Sequence, residues 1–314
     1  MGFLDRLLGG DDSGEGDGAG ADERREQDVA RVEAGGIPLA AEERIRELGA
    51  GSGGFTSGLS VADFLLTRQH AVRPVCQVMG SSVYKVGWQN YPWASSWRQA
   101  PMLSELEALT AAWNTARARA LGRLQEEARL AGCHAVVDVT FERRDHAFLD
   151  DAVEVVVNGT AVHLPEGDRG GPPILTDLSM PDWVLLRRGG YDPVGVVATT
   201  SVFYVVPGRQ TRNLTTGWQR FQPNQELTDF TQGLYEARER ALTRAASSAA
   251  ELGAGGMVGM TVDHDVETRT VGSESNERED LIVTFHVLGT AIAPQAEHRP
   301  LNPRTVVRQG ARRP

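Results

Sequence analysis

The sequence is short of cysteine, of lysine and of long apolar runs. It has two cysteines in 314 residues, with no Cys-x-x-Cys pair and no ladder of cysteine and histidine spacings. This argues against a disulfide-stabilised scaffold and against a structural zinc site. No stretch approaches the roughly 20 apolar residues of a membrane-spanning helix, and no signal peptide is visible. We therefore expect a cytoplasmic protein.

The basic residues are almost all arginine, because Lys85 is the one lysine among 32 basic side chains. These arginines are spread along predicted helices together with carboxylates, and the formal net charge is −10. Such a chain lacks the basic surface that binds a phosphate backbone, so nucleic-acid binding is not expected. The sequence also lacks the G-x-S-x-G, H-E-x-x-H and GKS/T motifs. We predict that the protein is not an enzyme.

Part of the chain recurs within it. The sequence Ala-Arg-Ala-Arg-Ala-Leu-Gly-Arg at residues 116–123 returns as Ala-Arg-Glu-Arg-Ala-Leu-Thr-Arg at 237–244, an offset of 121 residues. The offset is 119 before this segment and 130 after it, and it changes at stretches that are typical of loops. An ordered set of matches predicts the duplication of one unit. Further matched pairs are Leu59-Ser60 with Leu178-Ser179, Ser82-Val83 with Ser201-Val202, and Gly159-Thr160-Ala161 with Gly289-Thr290-Ala291.

Each copy has the pattern strand, helix, strand, strand. In the first copy, residues 74–86 are rich in β-forming residues, and residues 103–131 carry apolar side chains at helical spacing. Residues 192–206 and 230–252 repeat this pattern in the second copy, and two further alternating stretches follow each helix. The predicted fold class is α+β, with two tandem β-α-β-β units. Each unit is predicted to be an antiparallel sheet packed on one long helix.

These patterns divide the chain into five parts. Residues 1–54 hold an amphipathic segment, an acidic stretch and a short helix, and residues 55–164 form unit one. A linker rich in proline and glycine spans 165–173, unit two spans 174–293, and a basic tail spans 294–314. We expect both tails to be disordered. A small sheet covered by one helix leaves strand edges open, so we predict a homo-oligomer built through sheet edges.

The first residues form a short apolar helical face made of Phe3, Leu4, Leu7 and Leu8. A helix of this length is not stable alone in water. One interpretation is a segment that docks on a membrane surface or a partner protein. The other interpretation is a terminus that packs on the chain itself. Flotation of the protein with liposomes, with and without residues 1–10, distinguishes the two.

Three stretches of unit one resemble the YbjQ-like heavy-metal-binding family. They are residues 79–87, with the sequence Met-Gly-Ser-Ser-Val-Tyr-Lys-Val-Gly, the Gly-Cys-His-Ala-Val-Val run at 132–137, and Asn-Gly-Thr-Ala at 158–161. The resemblance covers residues 57–163 and 176–292. It implies a dodecin-like fold that assembles as rings, typically pentameric. Five chains would supply ten units, stacked as two layers or interleaved in one ring, and would serve as a scaffold or small-ligand binder.

The candidate metal ligands lie in unit one. Cys133, His134 and Asp138, joined by Cys76, offer thiolate, imidazole and carboxylate groups that suit zinc or copper. The alternative is that Cys133 is a small core residue and His134 a solvated strand start. Adjacent side chains of a strand also point to opposite faces. The second copy has no ligand at the matching positions, which are Gly195, Ala254, Gly255 and Gly259.

Two further clusters are candidates for binding. Three carboxylates, Asp263, Asp265 and Glu267, alternate along one strand, where they could hold calcium or magnesium or form a solvated face. The loop at residues 87–102 of unit one carries more aromatic residues than a short loop needs. Interfaces favour aromatic residues. We predict a packing role for the pair found in both copies, and a subunit contact or ligand-stacking surface for the others. The residues are Trp88, Tyr91, Trp93, Trp97 and Trp218, of which Trp97 and Trp218 form the pair.

Overall fold

The computed structural model describes residues 18–49, 55–89, 91, 101–145, 152–167, 170–215, 223–272 and 277–295. Within them the chain is a mixed α+β protein with seven helices and two four-stranded sheets. The helices are α1 (Gly18–Glu33), α2 (Leu39–Gly49), α3 (Val61–Gln69), α4 (Glu107–Leu130), α5 (Met180–Arg188), α6 (Arg209–Thr215) and α7 (Thr228–Glu251). The strands are β1 (Arg73–Lys85), β2 (Met102–Glu105), β3 (Ala135–Asp145), β4 (Ala152–His163), β5 (Ile174–Leu175), β6 (Tyr191–Val206), β7 (Gly256–Val271) and β8 (Arg278–Pro294).

The N-terminal sheet has the strand order β1-β4-β3-β5. β4 pairs antiparallel with β1 on one side and with β3 on the other. A β-bulge interrupts β3 between Val137 and Thr140, where Asp138 takes a positive φ of 55°. The helix α4, which lies between β1 and β3 in the chain, packs on this sheet through an alanine-rich face. Small side chains allow this close approach of helix and sheet.

The C-terminal sheet has the strand order β2-β6-β8-β7. β8 is its central long strand and pairs antiparallel with β6 and β7. A β-bulge lies in β7 between Val258 and Thr261, and Gly259 there has a positive φ of 64°. The helix α7 buries Ala237, Ala241 and the alanines that follow them on the same face against this sheet. β6, α7, β7 and β8 thus follow one another as β1, α4, β3 and β4 do.

The helix ends follow local sequence signals. α4 and α7 are followed by Gly132 and Gly253, both with positive φ, which a residue without Cβ adopts at no steric cost. α3 begins after Ser60, whose hydroxyl accepts a hydrogen bond from Asp63 N, and α5 begins after Ser179 in the same way. Serine at the residue before each helix thus marks where α3 and α5 begin.

In each sheet, one of the two edge strands comes from the other half of the chain. The helix predicted over residues 103–131 starts later than expected, because residues 102–105 form β2 and pair antiparallel with β6 of the C-terminal sheet. β5, which follows the predicted linker, pairs parallel with β3 of the N-terminal sheet. The core is correspondingly continuous, since Val202 and Tyr204 of β6 belong to the same buried cluster as α4. The two sheets are joined by this exchange of strands.

Candidate functional site

The two cysteines lie in the core of the N-terminal sheet. Cys76 is fully buried in β1, and Cys133 is buried just after α4. Burial raises the pKa of both thiols, that of Cys133 to about 12, and the charge of Cys76 adds to the effect on Cys133. The two side chains belong to the same buried apolar cluster. Both are neutral thiols at physiological pH, whereas a metal or a disulfide reagent reacts with the thiolate.

His134 and Asp138 have other partners and surroundings than the two thiols. The Nδ1 atom of His134 accepts a hydrogen bond of 3.0 Å from Leu164 N, and its ring meets the edge of the His163 ring at 5.0 Å. Asp138 sits in the bulge of β3, where burial and then the charge of Asp63 raise its pKa. Adjacent residues of an extended chain face opposite ways, which explains the separation of positions 133 and 134.

The four predicted metal ligands are thus not gathered into one site. Across the described ranges, no group of three or more histidine, cysteine, aspartate or glutamate side chains is arranged to hold a metal ion. Asp138 has a structural explanation instead. Aspartate tolerates the left-handed backbone that the bulge requires, and the matching bulge of β7 has Gly259 at this place.

We expect both thiols to resist an aromatic disulfide reagent in the folded protein. At mildly alkaline pH the reagent should modify below about 0.1 thiol per chain within minutes, because burial disfavours the thiolate. In urea it should modify both cysteines. Absorbance of the released thiol measures this, and rapid native modification would contradict the buried position of Cys76 and Cys133.

The acidic row of β7 contacts basic side chains. Asp263 forms an ion pair with Arg143 of β3, and Asp265 lies 3.8 Å from Nε2 of His286. Asp265 is exposed, as a solvated face predicts. These contacts link the end of β3 to the C-terminal sheet, and they do not converge on a common point as calcium ligands do.

The aromatic candidates behave differently from one another. Trp88 is 85% exposed, whereas Tyr91 packs edge-on against Tyr204 at 5.6 Å and lies under the guanidinium of Arg269 at 3.9 Å. Tyr91 therefore contacts the C-terminal sheet through these two side chains. Trp93, Trp97 and Trp218 lie outside the described residues, as do Phe3, Leu4, Leu7 and Leu8. No helix in the described part of the chain is long and apolar enough to cross a membrane.

A buried polar cluster, which the sequence did not predict, joins α4 to β6 and β8. Arg117 is 4% exposed and donates hydrogen bonds to Thr200 Oγ1 and, at 3.3 Å, to Asn114 Oδ1. Nδ1 of His286 lies 2.8 Å from Thr200 Oγ1, and its ring meets Trp113 edge-on. Burial lowers the pKa of Arg117 to about 9 and lowers that of His286, with the charge of Arg143 adding to both effects. His286 is therefore neutral.

One half of the contact between the two parts of the chain is the pairing of β2 with β6. Leu106 N donates to Val202 O at 2.8 Å, and Val202 N donates to Thr110 Oγ1 at 3.0 Å. Glu105 of β2 accepts a hydrogen bond from Ser201 and forms an ion pair of 2.6 Å with Arg244 of α7. The outer edge of β6 is thereby covered along this stretch.

The other half is the segment of residues 174–178 together with α5. Thr176 N donates to Val136 O at 3.0 Å, and Thr176 O accepts from Val139 N at 3.0 Å. Met180 and Val184 of α5, with Trp183 between them, pack on the outer face of β3 and β4. We call the two halves together the internal joint. Its chemistry is that of a binding surface, namely backbone pairing, buried apolar side chains and one ion-pair cluster.

Comparison with known proteins agrees with the resemblance seen in the sequence. Residues 101–165, which run from β2 through α4, β3 and β4, match a family model of the YbjQ type described as "Putative heavy-metal-binding". The chain is 33% identical over 258 residues to the encapsulin nanocompartment protein Rv1762c of Mycobacterium tuberculosis. The match covers 81% of this chain and 91% of the relative.

No solved structure matches the chain. The identity to the mycobacterial protein and the share of both chains that it covers are enough to show the family. The chain belongs to the family of the encapsulin nanocompartment protein Rv1762c, and it carries a segment of the YbjQ type.

Proposed function

We propose that the protein is a non-enzymatic, self-assembling scaffold made of two tandem copies of a dodecin-like unit. The order of strands and helix is the same around both sheets, with β4 and β8 at the centres. The bulges of β3 and β7 fall 121 residues apart, as the repeated sequences do. These agreements support duplication of one unit and the division of the chain at the predicted linker, residues 165–173.

The observation that carries the assembly proposal is the state of two long strand edges. β1 and β7 each end a sheet, and neither has a strand partner on its outer side among the described residues. An open edge presents unpaired backbone N–H and C=O groups, which other chains readily pair. Exposed apolar side chains lie along both strands, including Val83 on β1 and Met260, Val262 and Val266 on β7.

The comparison with the mycobacterial relative supports the same proposal. That protein is named as an encapsulin nanocompartment protein, and a scaffold that assembles with its own copies suits such a compartment. A five-fold ring, with ten units from five chains in two layers or interleaved, follows from the family resemblance. The partner of this chain is then the chain itself, and the reactive groups of the described core, Arg117, His286 and Cys133, have structural roles.

We expect the full-length protein to elute as one oligomer with a mass that is a multiple of 34.0 kDa. Burying the open edges and their apolar side chains favours association, as in obligate oligomers. Size-exclusion chromatography with light scattering measures the mass across a dilution series. A single chain at micromolar concentration would contradict the proposal.

Binding of a heavy metal is the second candidate function. It is supported by the description of the matching family model and by the place of Cys76 and Cys133 in one buried cluster. A thiophilic metal such as copper or zinc would have to displace both thiol protons, and the ligand set would be smaller than predicted. Elemental analysis of protein purified without chelator tests this. Metal below about one tenth per chain, or equal metal in the Cys76→Ala, Cys133→Ala variant, would exclude the pair as a site.

A further inference from the structure

The sequence repeat predicts a second set of surfaces equivalent to the internal joint. Within one chain the two sides of this second set are not paired with each other among the described residues, and we call them the open joint. Each position of the joint has a corresponding position in the other unit, at the offsets of 119, 121 or 130 given by the sequence repeat. We propose that a second copy of this chain completes this open joint. Residues 223–227 of one copy pair with the outer edge of β1 in the next copy, while residues 55–59 and α3 of that next copy cover β7 and β8 of the first. This inference rests on the proposed self-assembly and specifies its contact.

The strand half of the open joint shows the burial change expected of a missing partner. Val202 of β6 is fully buried in the cluster that contains α4 and Leu106, whereas its counterpart Val83 of β1 is 56% exposed. Leu106, which donates to Val202 O, is fully buried, and its counterpart Leu227 is half-buried. Residues 223–226, the counterparts of β2, are exposed and have no regular structure. Repeating the pairing of β2 with β6 places Leu227 opposite Val83 and Gln225 opposite Lys85.

Polar partners are repeated as well. Thr110, whose hydroxyl accepts from Val202 N, has the counterpart Thr231, four residues after Leu227 as Thr110 is four residues after Leu106. The cluster around Glu105 is matched throughout. Its members Glu105, Ser201, Arg240 and Arg244 correspond to Glu226, Ser82, Arg119 and Arg123. Of these, Arg119 is exposed, whereas Arg123 is buried and already donates to the backbone oxygens of Gly36, Ser81 and Val32. The Glu226 carboxylate of one copy thus meets Arg119 of the next, so the charges are complementary.

The second half begins with residues 55–59, the counterparts of 174–178. Both segments are fastened to their own sheet by the same bond. Asp177 N donates to Thr290 Oγ1 at 3.2 Å, and Gly58 N donates to Thr160 Oγ1 at 3.1 Å. The other edge of residues 174–178 pairs with β3. Residues 55–59 are held in the same way and have no such strand partner in the described structure.

The helices that follow these segments show a marked difference in exposure. Met180 and Val184 of α5 are 0% and 8% exposed because they pack on β3 and β4. Their counterparts on α3, Val61 and Leu65, are 78% and 54% exposed. Apolar side chains at these positions are explained if α3 docks on a sheet as α5 does.

The surface that would receive α3 is open on the C-terminal sheet. In β3, Val137 and Val139 are almost completely buried beneath residues 174–184. Their counterparts in β7 are Val258, which is half-buried, and Met260, which is 49% exposed. β7 is exposed along nearly its whole length. The exposed surfaces of the open joint therefore correspond to the buried surfaces of the internal joint, both on α3 and on β7.

The N-terminal helices leave the β1 edge accessible from Val83 onward, while Arg123 links Ser81 O to Val32 O and Gly36 O just before it. α2 lies beside the other end of the strand, where Ala41 and Arg44 line a cleft with Gln77 and Met79. Val83 and Lys85 remain exposed. Because the two surfaces of the open joint are on different units, the contact is head-to-tail. Such a contact builds a closed ring or a filament and does not stop at a two-fold dimer.

The joint is tested with the double variant Val61→Glu, Leu65→Glu in the full-length chain. Both side chains are exposed in the single chain, so folding should be retained, which circular dichroism and thermal unfolding check. The control is Leu185→Glu, an exposed leucine of α5, which already docks within the chain. We expect the control to keep the wild-type mass and the double variant to fall to a single chain of 34.0 kDa in light scattering.

The outcomes separate the two proposals. Wild-type protein that is itself a single chain would overturn the proposed self-assembly. Wild-type oligomers that the double variant forms equally well would overturn this joint and leave self-assembly by another surface standing. Should the double variant lose its fold, Glu226→Arg is the second test, because it places an exposed arginine against the exposed Arg119 of the next copy. An unchanged oligomer for Glu226→Arg across a dilution series to nanomolar chain would then overturn the joint.

Discussion

Replacing Gly80 with alanine is expected to unfold the N-terminal half of the protein. Gly80 lies in β1 where the strand crosses α4, and a Cβ at this position would lie 1.9 Å from Ala120 O and 2.7 Å from Leu124 N. Both are backbone atoms of a helix that is packed on both sides, so neither can move alone. Overpacking against backbone of this kind belongs with the most damaging substitutions, and we expect a loss of at least about 4 kcal/mol.

The matched control for Gly80→Ala is Gly122→Ala in α4. A Cβ on Gly122 meets nothing within 4 Å, and the residue is in the interior of the helix. Alanine there should stabilise the protein by about 0.5–1 kcal/mol, because it lowers the entropy of the unfolded chain. Urea unfolding followed by circular dichroism measures both variants. A Gly80→Ala protein as stable as wild type would contradict the observed approach of β1 to α4.

Replacing Asp280 with alanine is expected to have the second largest effect. Asp280 is fully buried in β8, accepts two hydrogen bonds from Arg278 at 2.8 and 3.1 Å, and accepts one from the hydroxyl of Tyr204 at 2.7 Å. Removal of the carboxylate leaves a buried guanidinium and a buried hydroxyl without this acceptor. Breaking one partner of a buried pair costs about 3–5 kcal/mol.

An exposed ion pair provides the comparison for Asp280. Asp22 and Arg25 are 3.3 Å apart on α1 and both are largely exposed, so solvent screens their attraction. Asp22→Ala should change stability by no more than about 0.5 kcal/mol. Thermal unfolding of the Asp280→Ala and Asp22→Ala variants in parallel measures the difference in stability. Equal stability of the two variants would show that the Asp280 cluster is hydrated.

Much of each unit could be predicted from sequence because its signals are local. Apolar side chains at helical spacing identified α4 and α7, and β-forming or alternating stretches identified the long strands. Only the start of the helix predicted over residues 103–131 was wrong, because the pairing partner that makes 102–105 a strand lies about a hundred residues away in β6.

The candidate site was less predictable for the same physical reason. Cys133, His134 and Asp138 are close in sequence, but a strand turns alternate side chains apart and a bulge re-aims Asp138. Arg117 looked like a surface arginine of a helix. It is buried because the C-terminal sheet covers that face of α4, and no local signal reports a contact with Thr200 or His286.

The register of the open joint is tested most directly by an engineered disulfide between copies. Gln225→Cys and Lys85→Cys place one thiol on each side of the proposed contact, in directly opposed positions that suit a disulfide. Val83→Cys with Gln225→Cys is the control, because position 83 lies on the same face of β1 but about 7 Å away along the strand. We predict that mild oxidation gives a ladder of covalent dimers, trimers and larger species on a non-reducing gel for the 85–225 pair and little for the 83–225 pair. No ladder from the 85–225 pair, or equal ladders from both pairs, would contradict the account.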